Sequence, residues 1–235
     1  MERIDKIIAS QTNYSRKDVK KLISQKKVRV NDEIVKRPEQ KFDEQQDTIY
    51  IDENKLDMKK HIYLVLNKPQ GYISATEDRT AKTVLDLVPE QYKRKGLFPA
   101  GRLDKDTTGM MIITDDGEFA HNILAPRKHI EKTYRVQIDI DITEEMKEKF
   151  KQGIVLKDHV CCPATIIVED KNTALITITE GKYHQIKRMF GCFGAKVVNL
   201  HRISMGGLQL PGDLKEGQCR ELTTEELEKV CKRDK

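Results

Sequence analysis

A chain of 235 residues, 34% charged and 37% hydrophobic, is long enough for one large domain or for a small one followed by a medium one. It is polar enough to point to a water-soluble protein that still builds a core. The longest apolar runs are strand-sized, which argues against a membrane span, and Met1-Glu2-Arg3-Ile4-Asp5 lacks the apolar stretch of a secretory leader. A cytoplasmic location is the expectation. Cys161, Cys162, Cys192, Cys219 and Cys231 show no paired spacing, and Cys161-Cys162 are adjacent, not Cys-x-x-Cys. Reduced thiols are expected, with neither a disulfide framework nor a zinc site.

The net charge of +5 is mild, but it is unevenly placed. Between Arg16 and Arg37, nine basic residues face three acids, Asp18, Asp32 and Glu33. This excess of six covers the whole bias of the chain and suggests a polyanion partner.

In chain order, Arg3–Ala9 has a helical pattern, with Ile4, Ile7 and Ile8 on one side. Ser15 is placed to cap a second helix, with Asp18 in capping-box position. In that helix Val19, Leu22 and Ile23 share a face, while Arg16, Lys17, Lys20 and Lys21 lie mostly outside it. Short strands follow at Val28–Val30 and Thr48–Ile51, with Asn31-Asp32 as a turn. One apolar face and one cationic face suit the binding of an RNA backbone. This stretch resembles the S4 RNA-binding domain at Arg3-Ile4-Asp5-Lys6, Ser15-Arg16 and Val28-Arg29-Val30-Asn31. The resemblance implies RNA contacts from Arg16, Lys17, Lys20, Lys21, Lys27 and Arg29. Glu53–Lys60 is short, polar and charged, and reads as a linker. The expected organisation is a module at 1–56, a connection at 57–61 and a second domain at 62–235.

Ile62–Leu66 reads as a buried strand, broken by Asn67-Lys68-Pro69-Gln70-Gly71. Thr83–Val88 is a short helix candidate. Leu97–Ala100 leads into Gly101-Arg102-Leu103-Asp104-Lys105-Asp106-Thr107-Thr108-Gly109, and a β-type run, Met110–Thr114, leads out. Such a polar loop between strands is a common seat of chemistry, although Asp in a Gly-bounded loop is ordinarily turn chemistry. Asp115–Leu124 reads as a helix, Lys132–Val136 as a strand with Tyr134 and Val136 on one side, and Glu144–Lys151 as a charged helix. Ala164–Val168 and Ala174–Thr179 form a hairpin. Ile186, Met189 and Phe190 recur at helical spacing. Thr223 and Glu226 suit the capping box of a last helix.

Arg102-Leu103-Asp104, then Thr107-Thr108-Gly109 and an apolar strand, closely resembles the active-site loop of pseudouridine synthases. Lys68-Pro69-Gln70-Gly71, Lys132-Thr133-Tyr134, Gln185-Ile186-Lys187 and Leu200–Gly206 resemble further motifs of that family, in order. The likeness covers nearly the whole chain and is strongest to the RsuA branch, small enzymes acting on ribosomal RNA. It implies an α+β fold, with an S4-like module followed by a domain around a mixed, largely antiparallel sheet. It implies Asp104 as the essential carboxylate and Tyr134 as the residue that stacks the target base. Lys187, where many relatives carry Arg, would pair with Asp104. Arg102 would bind a flanking phosphate or fill the space the base vacates, and Arg188 would take the place of Lys187 or bind phosphate. Pro69 and Gly71 would shape the chain beneath the loop, Asp106 would be loop structure, and His184 would make a structural hydrogen bond. No cofactor or metal is implied. The expected partner of a monomeric protein is 16S rRNA or a small-subunit assembly intermediate, with no membrane. The other readings are the same chemistry on 23S rRNA, a non-catalytic assembly factor, and a hydrolase with Asp104 and Asp106 as paired carboxylates.

Overall fold

The computed structural model describes residues 1–232; the last three positions of the expected second domain lie outside the described residues. Packing divides the chain into two units. The first comprises Met1–Ile62 with Val88–Leu97, and the second Tyr63–Leu87 with the chain from Phe98 onward.

The first unit holds β1 (Glu2–Arg3), α1 (Ile4–Gln11), α2 (Arg16–Ser24), β2 (Val28–Val30), β3 (Glu33–Ile34), β4 (Lys41–Phe42), β5 (Ile49–Ile51) and β6 (Asn54–Lys55). The α2 start is a capping box: Asp18 N–H donates to Ser15 Oγ at 3.2 Å, and Ser15 N–H to the Asp18 carboxylate at 2.8 Å. Ile4, Ile7, Ile8, Val19 and Ile23 are buried with Val28, Val30 and Ile49 in one core. The connection is shorter than the polar run suggests. Asn54-Lys55 pairs with β5, and Leu56 and Met58 pack on the core, because Leu56 N–H is held by Ile49 O at 2.8 Å. Sequence reading also places 62–235 in one stretch, whereas Val88–Leu97 packs with the first unit. Arg94 is the reason. Its guanidinium donates to Gln11 Oε1 at 3.1 Å and to the carbonyls of Lys59 and Lys60 at 3.0 and 2.9 Å.

The second unit is built on a nine-stranded sheet. Its strands are β7 (Tyr63–Lys68), β8 (Phe98–Pro99), β9 (Thr108–Thr114), β10 (Lys132–Ile138), β11 (Thr165–Asp170), β12 (Thr173–Ile178), β13 (Val197–Met205), β14 (Leu208–Gln209) and β15 (Cys219–Glu221). The order is β11-β12-β10-β13-β9-β7-β15, with β14 on β13 and β8 on β9. All pairings are antiparallel except β9–β13, whose parallel register is Thr108 with His201 and Gly109 with Arg202. The helices are α3 (Gly117–Leu124), α4 (Glu144–Gln152), α5 (Gln185–Gly191) and α6 (Thr224–Cys231). Asp116 caps α3 by accepting from Phe119 N–H at 3.0 Å, so the helix starts two residues later than its pattern suggests. Val65, Met110, Ile112, Ala120, Ile123, Met205 and Val230 are buried in the core that joins sheet, α3 and α6.

Gly109 explains why the parallel junction carries a glycine. Its φ is +100°, and a Cβ there would lie 2.3 Å from Arg202 O and 2.7 Å from Arg202 N. Only a residue without a side chain lets the two backbones approach this closely.

Candidate active site

The loop from Gly101 to Thr107 is shaped from beneath by one ammonium. Lys68, at the end of β7, has no exposed surface. Its Nζ donates to the carbonyls of Thr107 at 2.7 Å, Asp104 at 3.0 Å, Pro69 at 3.2 Å and, more weakly, Lys105 at 3.4 Å. Burial pushes this ammonium down from 10.5 to about 8. Two further clamps complete the loop. Leu103 N–H donates to Ser74 Oγ at 2.9 Å while the Ser74 hydroxyl donates to Leu103 O at 2.7 Å. Gly71 N–H donates to Lys105 O at 2.8 Å. With its backbone turned down onto Lys68, the loop presents the Asp104 side chain to a cleft.

The opposite wall is the start of α5. His184 sits in the left-handed region, at φ 48° and ψ 34°, so the chain turns sharply into the helix. Gln185 is buried and fixes that turn. Its Nε2 donates to Glu180 at 2.8 Å, and its Oε1 accepts from Lys182 N–H at 2.9 Å. His184 and Lys187, three residues apart, both reach Asp104. Lys187 Nζ lies 3.0 Å from Asp104 Oδ2, and His184 Nε2 lies 3.4 Å from Asp104 Oδ1.

Lys187 is also 2.6 Å from Asp106 Oδ1, so one cation holds two carboxylates. Burial disfavours the Lys187 charge, but hydrogen bonds to Asp106 and Asp104 outweigh it and raise its pKa. The Lys187 hydrogen bond holds Asp106 below the usual carboxylate range.

Tyr134 enters from the sheet. Its strand alternates buried and open residues, and Tyr134 is on the buried side at 6% exposure. Directly across on β13 is Arg202, itself buried, whose Nε donates to Met110 O at 2.6 Å. One terminal nitrogen of that guanidinium is 3.5 Å from the phenol oxygen, and its central carbon is 6.0 Å from the ring centre. Lys132, on the same strand face, is buried beside them, and burial, with help from Arg202, pushes it down to about 8.

Asp104, Tyr134, Lys187, His184 and Arg102 line one cleft of about 70 Å³. Arg102 is exposed. Arg188 points elsewhere. It pairs with Asp158 and reaches Tyr183 O at 3.4 Å, so Asp104 takes its cation from Lys187 and not from Arg188. Tyr183 is 73% exposed and stacks on His184 with ring centres 3.8 Å apart. A wider hollow of about 710 Å³ reaches Asp106 along polar side chains such as Arg135, Gln137 and His201, but neither Asp104 nor Tyr134 lines it.

In the first unit, Arg16, Lys17, Lys20 and Lys21 are exposed along α2. They make no ion pair among the described residues. Lys27 and Arg29 differ. Lys27 pairs with Asp52 at 3.1 Å, and Arg29 lies 3.9 Å over the Tyr50 ring and 3.4 Å from Glu53.

Sequence reasoning missed His184 as a neighbour of Asp104, Asp106 as a second partner of Lys187, and Lys68 and Arg202 as buried supports. Lys68 stands at the head of Lys68-Pro69-Gln70-Gly71, beside the Pro69 and Gly71 whose backbone limits are the plainer signal. Arg202 stood in a strand whose alternation places it inward, an unusual address for an arginine.

Comparison with known proteins converges on one family. A family model described as RNA pseudouridylate synthase matches residues 62–191, and an S4 domain model matches residues 2–49. The chain is 41% identical over 232 residues to the ribosomal small subunit pseudouridine synthase A of Escherichia coli (strain K12), covering 97% of this chain and 99% of that protein. It is 40% identical over 230 residues to the uncharacterized RNA pseudouridine synthase YtzG of Bacillus subtilis (strain 168), covering 96% of each. A crystal structure of a pseudouridylate synthase matches with a TM-score of 0.69 at 37% identity, over 98% of this chain and 100% of that one.

Proposed function

The chain belongs to the RNA pseudouridylate synthase family and carries an S4 domain, and from that premise we propose that it converts one uridine of 16S rRNA to pseudouridine, with Asp104 as the acting carboxylate. The reaction breaks the N-glycosidic bond, turns the uracil and joins its C5 to the sugar. The proton lost at C5 is balanced by one gained at the nitrogen that is freed, so neither oxidant nor water is consumed.

The observation that carries the assignment of Asp104 is its setting. A carboxylate between Lys187 at 3.0 Å and His184 at 3.4 Å, in a cleft that Tyr134 also lines, is held in place by two partners and aimed into that cleft. Asp104 acts on the ribose or the uracil, either by covalent addition or by taking a sugar proton. Tyr134 offers a flat ring for stacking the pyrimidine. Lys187 orients Asp104, and Arg102, exposed on the same wall, binds a flanking phosphate. At about 70 Å³ the cleft is far smaller than the roughly 300–1,000 Å³ of ordinary ligand pockets. A flipped base therefore enters only as side chains at the mouth, His184 among them, give way.

The small-subunit assignment rests on the likeness to relatives named for that substrate. The exposed cations of α2 suit the phosphates around the target, and a loop or single strand is the form from which a base is splayed most easily. The protein acts in the cytoplasm on 16S rRNA or on an assembly intermediate. The test is to map pseudouridine in ribosomal RNA from cells with and without the protein, by carbodiimide labelling and reverse-transcription stops. One stop lost from 16S rRNA, restored by wild type and not by Asp104→Asn, is the expected result. A stop lost from 23S rRNA instead overturns the substrate. No change in either, with binding intact, favours a non-catalytic role in assembly.

A further inference from the structure

Away from Asp104, three side chains of different chemistry converge behind the start of α5. His159 and Cys161 come from the segment between α4 and β11, and Glu180 from the end of β12. One donor atom from each, an imidazole nitrogen, the thiol sulfur and a carboxylate oxygen, all lie within 4.8 Å of one another. Cys161 Sγ and His159 Nε2 are 3.6 Å apart. Donors held about 2.0–2.3 Å from a tetrahedral ion sit roughly 3.3–3.8 Å from each other, so this pair already has the right separation. Cys161 and Glu180 are buried, at 2% and 8% exposure.

The surroundings fit the same reading. The other ring nitrogen of His159 lies 3.2 Å from Asp158 Oδ1. A carboxylate on that side of the ring is the neighbour that usually orients a metal-bound histidine with its other nitrogen toward the ion. Glu180 uses one oxygen, Oε1, to accept from both Cys162 N–H at 2.9 Å and Gln185 Nε2 at 2.8 Å. These bonds fix the carboxylate and leave Oε2 without a hydrogen bond among the described residues. This carboxylate also has no ion-pair partner among the described residues, which leaves Oε2 open to a cation.

We propose that His159, Cys161 and Glu180 form a binding site for one divalent cation of the zinc class. A thiolate, an imidazole and a carboxylate suit zinc better than magnesium or calcium, which take oxygen alone. Three protein donors leave the fourth position to water. Binding transfers the Cys161 thiol proton to solvent and forms the metal–sulfur bond in its place. The ion's place is structural. Glu180 holds Gln185, and Asp158 holds both His159 and Arg188, so the ion would brace α5, the helix that sets Lys187. Adjacent cysteines gave no zinc spacing in the sequence because only one of them contributes; the other two donors come from two residues before it and nineteen after it.

The test uses the purified full-length chain, stripped with a chelator and titrated with Co²⁺ as a spectroscopic stand-in for Zn²⁺. The expected result is one equivalent bound, with a sulfur-to-cobalt charge-transfer band in the near ultraviolet that Zn²⁺ displaces. Cys161→Ser should abolish the band and Cys231→Ser should keep it, because Cys231 lies on α6. Asp158→Asn should weaken binding about 10- to 100-fold without removing a ligand. His159→Ala, at a partly exposed position, provides a second ligand deletion should Cys161→Ser fold poorly by circular dichroism. No bound cobalt in the wild type, or a band that survives in a folded Cys161→Ser or His159→Ala, overturns the proposal. The readout is metal binding, so its failure leaves the assignment of Asp104 untouched.

Discussion

Replacing Lys68 by Met removes the one charge on which the active loop closes. At neutral pH two effects oppose each other. The substitution leaves the buried carbonyl of Thr107 and the part-buried carbonyls of Pro69 and Asp104 without their donor, each costing up to about 1–3 kcal/mol. It also ends the penalty for burying an ammonium. A fall from 10.5 to about 8 corresponds to about 3 kcal/mol. The first effect is larger, and a net loss of roughly 2–4 kcal/mol is expected, with loss of turnover as the loop relaxes.

The pH dependence separates this account from a simple loss of packing. The folded-state pKa is lowered, so between about 8 and 10.5 the unfolded chain holds more protons than the folded one. The Lys68 contribution to stability therefore rises with pH across that window. By about pH 9.5 the wild type should gain about 2 kcal/mol relative to Lys68→Met, compared with about pH 7. Urea unfolding of both proteins at the two pH values measures this. Shifts from other groups, including Lys132 and the buried thiols, cancel in the difference. A difference that is flat or narrows with pH refutes the reasoning, because it means that Lys68 is not a desolvated ammonium.

Other outcomes follow from the same geometry. Asp104→Asn should lower turnover by about 100-fold or more while RNA affinity stays within about threefold; near-normal turnover in a synthetic 16S fragment rejects the assignment. Asp106→Asn should cost less than about tenfold in the same assay, since Lys187 keeps Asp104 as a partner. Gly109→Ala places a Cβ 2.3 Å from Arg202 O and should destabilise by about 3 kcal/mol or more in urea unfolding. Replacing Lys20 and Lys21 together by Glu should flatten the log–log salt dependence of RNA binding by roughly 1–2. An unchanged slope places the RNA elsewhere.

The sequence made elements legible wherever a local rule governs them. The α2 capping box, the β10 alternation and the buried face of Ile186, Met189 and Phe190 depend only on neighbours within one turn or one strand. The pairing of Lys187 with Asp104 came from motif resemblance, since no local rule joins residues 83 positions apart. What stayed hidden was the work of polar groups pointing inward. Lys68 and Arg202 are charged residues that a composition-based reading assigns to the surface, and only the arrangement of carbonyls around them reveals their place. His184 meets Asp104 at 3.4 Å from a left-handed backbone position, and neither feature has a signature in the residue itself. Val88–Leu97 joined the first unit through Arg94, a contact that periodicity cannot show.

The parallel pairing of β9 with β13 spans only Thr108–Gly109 and His201–Arg202, yet it is the seam between two otherwise antiparallel blocks. One block, β8-β9-β7-β15, carries the Asp104 loop; the other, β11-β12-β10-β13-β14, carries Tyr134, and α5 with Lys187 is spliced between its strands. Neither block closes locally: β15 reaches back to β7 across 153 to 157 positions, β10 meets β13 across 59 to 73, and the seam joins residues 93 apart, so loop-closure entropy weighs on all three pairings. Non-local pairings of this kind slow folding, and the Asp104–Lys187 contact, across 83 positions, is one more of them. The sheet under the site therefore cannot be assembled piecemeal by a nascent chain: it is complete only once Cys219–Glu221 has been made and paired with β7.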